Sequence, residues 1–293
     1  MSARELTPYT FDSGTGQWLP HGPVISSGRP IIPSGGVTRP AGAVASSLRV
    51  VTFNVLFAEL YRDMRWRALL DEVERADADV IGFQEVTLAF LDVLLETPWV
   101  RAGYAVTDVD GGSFRGYGVV LLTRVVPQQV SLHELPSAMG RRLLVAHFDE
   151  RLAVATIHLE SLRPSASARE VQFAQILDIL SEFDHVVLMG DMNFCATWDE
   201  NRRVPAAYRD LWAALHPGDP GWTVDTDVNL MLLGLVGGPK QVRYDRVFLR
   251  SEGGRWQPKA IRRLGMQPLA AHPRLFPSDH FGLFASLERA VAP

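Results

Sequence analysis

The sequence holds one cysteine, Cys195, among 293 residues, so no disulfide can close within the chain. That usage is compatible with a reducing compartment. No apolar run approaches the roughly 18 residues of a membrane span, and the first ten residues carry Arg4, Glu5 and Pro8 in place of a signal peptide's apolar core. Positive charge is not in excess: 29 Lys and Arg face 33 Asp and Glu, for a net charge of −4. This speaks against a broad coat for duplex nucleic acid, but leaves room for a small local phosphate site. No internal repeat is present. These absences lead to the expectation of an intracellular monomer without membrane association.

Hydrophobic content of 47% and charged content of 21% describe an ordinary globular chain. Its length allows one large or two ordinary domains. Residues 1–46 are rich in Gly, Pro and Ser, as in Ser34-Gly35-Gly36 and Arg39-Pro40-Ala41-Gly42, and read as a loop-like leader. Tyr9, Phe11, Trp18, Ile31 and Ile32 are the candidates to pin that leader to the surface. Polar clusters scattered from residue 53 to 280 argue that 47–293 form a single domain.

Within that domain, apolar runs predict buried strands over 48–54, 79–84, 118–123, 142–147, 152–158, 185–190, 244–249 and 282–287. Phe148-Asp149-Glu150 between two of them predicts a hairpin. Trp66, Leu69, Leu70 and Val73 follow the spacing of one helix face. A second helix is predicted to open with the capping-box pattern Ser167-Ala168-Arg169-Glu170, burying Val171, Ala174, Leu177 and Leu180. Many strands, a hairpin and few helices predict an α+β fold, a two-layer β-sandwich flanked by helices.

The polar clusters fall where apolar runs end. Glu85, after Val80-Ile81-Gly82-Phe83-Gln84, is either a solvated acid or one of the carboxylates that hold a hard cation. Gly190-Asp191-Met192-Asn193 is either a turn or a catalytic pair. If the segment stays extended, Asp191 and Asn193 share a face, with Asp191 placed to orient water and Asn193 to contact a phosphoryl oxygen or a metal. His158, Ser161 and Arg163, leaving the strand 152–158, are three donors suited to phosphate. Asp245 either pairs with Arg243 or Arg246, or fixes the imidazole of His280 so that the charged ring stabilises a negative transition state. Cys195 has no Cys-His framework around it and reads as a packed thiol.

Together Phe53-Asn54, Gln84-Glu85, Gly190-Asp191-Met192-Asn193, Tyr244-Asp245-Arg246 and Ser278-Asp279-His280 resemble, in order, the motifs of the endonuclease/exonuclease/phosphatase superfamily of metal-dependent phosphodiesterases. The stretches His158-Leu159-Glu160-Ser161-Leu162-Arg163, Tyr244-Asp245-Arg246-Val247-Phe248 and Pro277-Ser278-Asp279-His280-Phe281-Gly282-Leu283 look most like its tyrosyl-DNA phosphodiesterases. The resemblance implies a four-layer αββα fold with its site at one edge, and Mg²⁺ (or Mn²⁺) as cofactor. It implies Glu85 and Asp279 as the metal carboxylates, with Asn54, Asn193 and His280 on the scissile phosphate. Asp191 would position the attacking water and Asp245 would orient His280. His158, Ser161 and Arg163 would bind substrate, with Tyr117 and Trp222 facing the strand. The implied reaction is in-line hydrolysis of 5′-tyrosyl, protein-linked DNA ends. Alternatives within the superfamily are an RNA deadenylase, an endonuclease at abasic sites, and a lipid or nucleotide phosphatase. Two positions depart from the group: Cys195 stands where it carries arginine, and Val224 where it carries tryptophan.

Overall fold

Neighbouring residues of the apolar runs point into different cores. Val50 belongs to a cluster with Val80, Leu121, Val187 and Leu283, whereas Val51 packs with Trp66, Leu69 and Leu70 of a helix. Side chains alternate faces along a strand, so a strand without polar positions must be covered on both sides. The computed structural model, which describes residues 3–21, 42 and 44–290, meets this with four layers in the order helix, sheet, sheet, helix.

With strands numbered in chain order, one sheet runs β1 (Arg4–Leu6), β8 (Gln129–Glu134), β9 (Arg142–Phe148), β10 (Leu152–His158), β11 (His185–Asp191), β15 (Asp245–Ser251) and β12 (Arg209–Asp210). The other runs β16 (Trp256–Leu264), β17 (Gly282–Arg289), β4 (Ser47–Asn54), β5 (Val80–Thr87), β7 (Tyr117–Thr123), β6 (Ala105–Val106), β2 (Tyr9–Asp12) and β3 (Gln17–Pro20). A small ribbon pairs β13 (Val224–Asp225) with β14 (Gln241–Val242). Helices α1 (Arg62–Ala76), α2 (Leu88–Glu96) and α3 (Pro98–Gly103) precede α4 (Ala166–Leu180), α5 (Leu211–Leu215) and α6 (Leu230–Val236). Helices α1 and α2 cover the outer face of the eight-stranded sheet. Phe173, Ile176 and Leu180 of α4 cover the outer face of the other.

All eight predicted strands form, as do the β9–β10 hairpin and the buried face of α1. Three expectations need correction. Residues 4–20 are not a loop-like leader: β1 adds to β8, and β2 and β3 extend the second sheet through Val106. These strands are short and half-exposed, so no apolar run marks them. The other leader features, Ile31, Ile32, Ser34-Gly35-Gly36 and Arg39-Pro40-Ala41, lie outside the described residues. Helix α4 begins at Ala166 with Ser165 at its N-cap position, not at Ser167, and it leaves Val171 exposed while burying Arg169 and Gln172. Hydrophobic periodicity misjudges this face because its polar members have dedicated partners. Arg169 donates to Glu200 at 2.6 Å, and Gln172 accepts from the Glu160 N–H at 2.9 Å.

Directly beneath the clustered strand ends, the two sheets are joined by a buried amide. Gln84 accepts from the Thr52 hydroxyl at 3.2 Å and donates across the sandwich to the Thr156 hydroxyl at 2.9 Å. Gly82 permits this close approach, since a Cβ there would lie 2.7 Å from the Thr156 hydroxyl oxygen. Gln84→Met should therefore lower unfolding free energy by about 1–3 kcal/mol, the cost of stranding buried partners, as read from urea denaturation. A second expected signature is acid sensitivity. Burial, with His133 beside it, pushes His147 down to about 4. The unfolded chain takes up that proton first, so stability should drop as pH falls from about 6.5 towards 4. Melting temperatures across that range should decline less steeply in His147→Gln.

Candidate active site

Strand register brings the chemical groups to one edge. Parallel pairing of β10 with β11 sets His158 beside Asp191, and antiparallel pairing of β11 with β15 sets Asp191 beside Asp245. In the facing sheet, β4 and β5 run parallel with Asn54 beside Gln84, and β17 returns next to β4 directly after His280. Asn54 ends its strand, and a bulge between Gln84 and Val86 puts Glu85 at φ 62°. Such a bulge re-aims a side chain that regular pleating would send elsewhere. Gly190, at φ 141°, lies so close to Ile157 that a Cβ would sit 2.0 Å from its carbonyl oxygen. Only glycine fits there, immediately before Asp191.

The Asn54 carboxamide joins the two halves. It donates to Glu85 Oε1 at 3.1 Å and to Asp191 Oδ2 at 3.2 Å, while its oxygen accepts from the Leu56 N–H at 3.0 Å. Asp191 is further held by the Asn193 N–H at 2.9 Å and by His158 Nε2 at 3.3 Å. His158 Nδ1 lies 3.0 Å from Arg141 Nη1. A guanidinium only donates, so Nδ1 accepts and the imidazole proton sits on Nε2, facing Asp191. Burial pushes His158 down to about 3, so the ring is neutral.

Of the two alternatives for this segment, Asn193 takes the turn and not the extended form. Its φ is 52°, and its amide turns back to Leu159 O at 3.0 Å and Ser161 Oγ at 3.3 Å. Ser161 Oγ also accepts from Arg141 at 2.7 Å, which leaves the hydroxyl proton available for donation.

Asp245 is not paired with its neighbouring arginines. Arg243 and Arg246 both bind Asp210, at 2.8 and 2.5 Å, and Asp245 Oδ2 instead lies 2.7 Å from His280 Nδ1. Burial opposes charge on His280, but Asp245, Asp279 and Asp191 outweigh it and hold the ring well above its ordinary value. Glu85 is raised as well, but in its case burial, then the charge of Asp279, drives the shift, to about 7. Glu85 and Asp279, close enough for their charges to interact and with Arg65 and His280 acting on both, supply the carboxylate oxygens that a hard divalent cation takes. Asp245 Oδ1, buried without a hydrogen bond, adds an unused oxygen. The ligand atoms of Asp191, Asp245 and His280 also lie within 4.8 Å of one another, but the imidazole nitrogen of that trio is engaged by Asp245.

Thus Asn54, Glu85, His158, Ser161, Asp191, Asn193, Asp245 and His280 meet in one hydrogen-bonded site, with Asp279 beside it. Tyr117 stands at the rim, stacked on Phe57 at 4.9 Å and 6.3 Å from the His158 ring. Arg163 lies farther out, over Trp198. Trp222 contributes only its backbone carbonyl, to Arg263, and its ring is not brought to these groups. Sequence reading missed Arg141, which reaches in from the β8–β9 connection, and Arg65. The buried guanidinium of Arg65 donates to five carbonyls, of Val55, Leu56, Ala58, Leu60 and Pro277. It thereby ties the loop after Asn54 to the segment before Ser278. No spacing signal marks either arginine, because their partners are distant backbone or side-chain atoms.

A sandwich that gathers carboxylates, amides and imidazoles at one edge defines a phosphodiester hydrolase. Residues 51–280 match the Endonuclease/Exonuclease/phosphatase family, and the chain belongs to that family, whose members depend on a divalent metal. It is 28% identical over 263 residues to Tyrosyl-DNA phosphodiesterase 2 of Homo sapiens, covering 83% of this chain and 68% of that protein. It is 34% identical over 224 residues to the Bos taurus protein of that name, covering 72% and 59%. The crystal structure of D. rerio TDP2 complexed with single strand DNA product superposes with a TM-score of 0.74 at 26% identity, over 83% of this chain and all of that one. No helix among the described residues is long and apolar enough to cross a membrane.

The Asp210 arrangement is directly testable. Asp210→Ala would strand two buried guanidiniums and should cost about 3–5 kcal/mol, seen as a large shift of the urea midpoint.

Proposed function

We propose that the chain is a Mg²⁺-dependent phosphodiesterase that hydrolyses 5′-tyrosyl, protein-linked DNA ends by in-line attack of water. The observation that carries this reading is the single Asn54 carboxamide linking Glu85 to Asp191, with the charged His280 held against Asp245 beside them. Substrate class is supported by the similarity to Tyrosyl-DNA phosphodiesterase 2 and to a structure of it with a single-strand DNA product. In this reading the protein acts in DNA repair, inside the cell and as a monomer, since one chain supplies every group.

Glu85 and Asp279 are the residues to hold the cation, and their oxygens suit Mg²⁺ or Mn²⁺. When bound, such an ion neutralises charge building on the phosphoryl group. Asp191, fixed by Asn54, His158 and the Asn193 N–H, orients the attacking water. His280 is engaged by Asp245 at Nδ1, so it offers Nε2–H to the phosphoryl oxygens. Ser161, accepting twice, donates its own proton to phosphate. His158 then serves chiefly by steadying Asp191, and Asn193 by holding the loop around Ser161. Tyr117 borders the strand.

Purified protein should release tyrosine from a 5′-tyrosyl oligonucleotide with Mg²⁺ and not with EDTA. Asp191→Asn and Glu85→Gln should each lower kcat by about 10²–10⁴-fold with unchanged melting temperature. Full activity in both would refute these roles. Turnover confined to poly(A), abasic-site DNA, a phospholipid or a nucleotide would transfer the chemistry to that substrate.

A further inference from the structure

A wall of rings leads away from the reactive centre. Tyr244 lies 6.2 Å from the His280 ring, and Trp198 meets Tyr244 edge-on at 5.7 Å. Each of these rings carries a cation on its face. Lys240 Nζ is 4.8 Å from the Tyr244 centroid, and the Arg163 guanidinium is 3.9 Å from that of Trp198. Among the described residues, neither cation has a carboxylate within ion-pair distance or a hydrogen-bond acceptor for its side chain. Most other cation-bearing rings differ, the exception being Arg262 over Phe284 on the edge strand β16, which is likewise unpaired among the described residues. Arg62 over Trp66 also binds Glu59, and Arg246 over Phe248 also binds Asp210.

The difference matters because a ring face and a carboxylate hold a cation in different ways. A carboxylate cancels the charge, whereas an aromatic quadrupole positions it and leaves it uncancelled. Lys240 is half-buried, and burial lowers its affinity for a proton, although Asp191 and Asp279 lie near enough to oppose this. An ammonium kept there with no carboxylate in direct contact is open to an arriving anion. In a chain of net charge −4, two such cations along one wall are not part of a general basic coat.

Resting on the nucleic-acid reading above, we propose that Lys240 and Arg163 form a two-point clamp for backbone phosphates. They would hold the single-stranded arm of the substrate beyond the scissile group, with Tyr244 and Trp198 as their platforms. Two cations along one wall can engage two phosphates of one strand. A lone small anion would engage only one of them.

The test uses the full chain with Mg²⁺ and a fluorescent 5′-phosphorylated oligothymidylate, with binding followed by anisotropy from 25 to 200 mM salt. Lys240→Met and Arg163→Met should each flatten the plot of log Kd against log salt by about 0.7, and the double variant should weaken binding roughly tenfold near 100 mM. Lys240→Arg should restore most of the Lys240 loss, and melting temperatures should show that each variant folds. With the p-nitrophenyl ester of thymidine 5′-phosphate, which has no further phosphate, the fall in kcat/KM should be several-fold smaller than with the oligonucleotide. An unchanged salt slope in the double variant overturns the clamp, as does equal loss on both substrates, which would put the cations on the scissile phosphate. If the unmodified chain cleaves the small ester but neither binds nor cuts oligonucleotides, the nucleic-acid reading falls and the clamp with it. Oligonucleotide cleavage with unaltered slopes sinks the clamp alone.

Discussion

The hydrogen bond on which the site depends crosses from one sheet to the other. Asn54 belongs to the eight-stranded sheet and Asp191 to the seven-stranded one, yet the carboxamide of the first reaches the carboxylate of the second at 3.2 Å. It can do so only because the sheets are held at a fixed separation just below, by Gln84 and Thr156 across the gap and by the missing Cβ of Gly82. A shift of one sheet by a fraction of an ångström would break the contact between the Glu85 and Asp191 halves. Dense packing of valine, leucine and methionine between the layers resists that shift.

Charge is managed by segregation. Three buried arginines near the site are occupied elsewhere: Arg65 by loop carbonyls, and Arg243 and Arg246 by Asp210. With those guanidiniums engaged, Asp245 is left to His280 and Asp191 to amide and imidazole donors. Had Arg246 turned to Asp245, the imidazole would have lost the carboxylate that keeps it protonated. Removing a buried carboxylate from its partner costs far more than the pair contributes, so the Asp210 network confines each charge to its own task.

Much of the core was legible in the chain because every central strand is covered on both faces and so reads as an unbroken apolar run, as in Val186-Val187-Leu188-Met189. The polar residues ending those runs were legible for the same reason. Strands at sheet edges were not. The strand Trp256–Leu264 pairs on one side only and exposes Lys259 and Arg262, so its pattern resembles a loop. The first strands, Arg4–Leu6 and Tyr9–Asp12, exist because sheet edges offered partners, which no local pattern records. Helix Ala166–Leu180 was misread on one face because Arg169 and Gln172 are buried through distant contacts to Glu200 and Glu160.

By itself the sequence determined which residues end the central strands, and hence that carboxylates, amides and imidazoles would gather where those strands stop. It determined this because burial and the two-residue period of a strand are local properties. Only the tertiary structure decided which of those groups touch. It gave Asp245 to His280 and not to Arg246, turned Asn193 back onto Ser161, and brought in Arg141. Those choices depend on inter-strand register, a bulge at Glu85 and a separation between sheets, none of which is encoded in the spacing of residues along the chain.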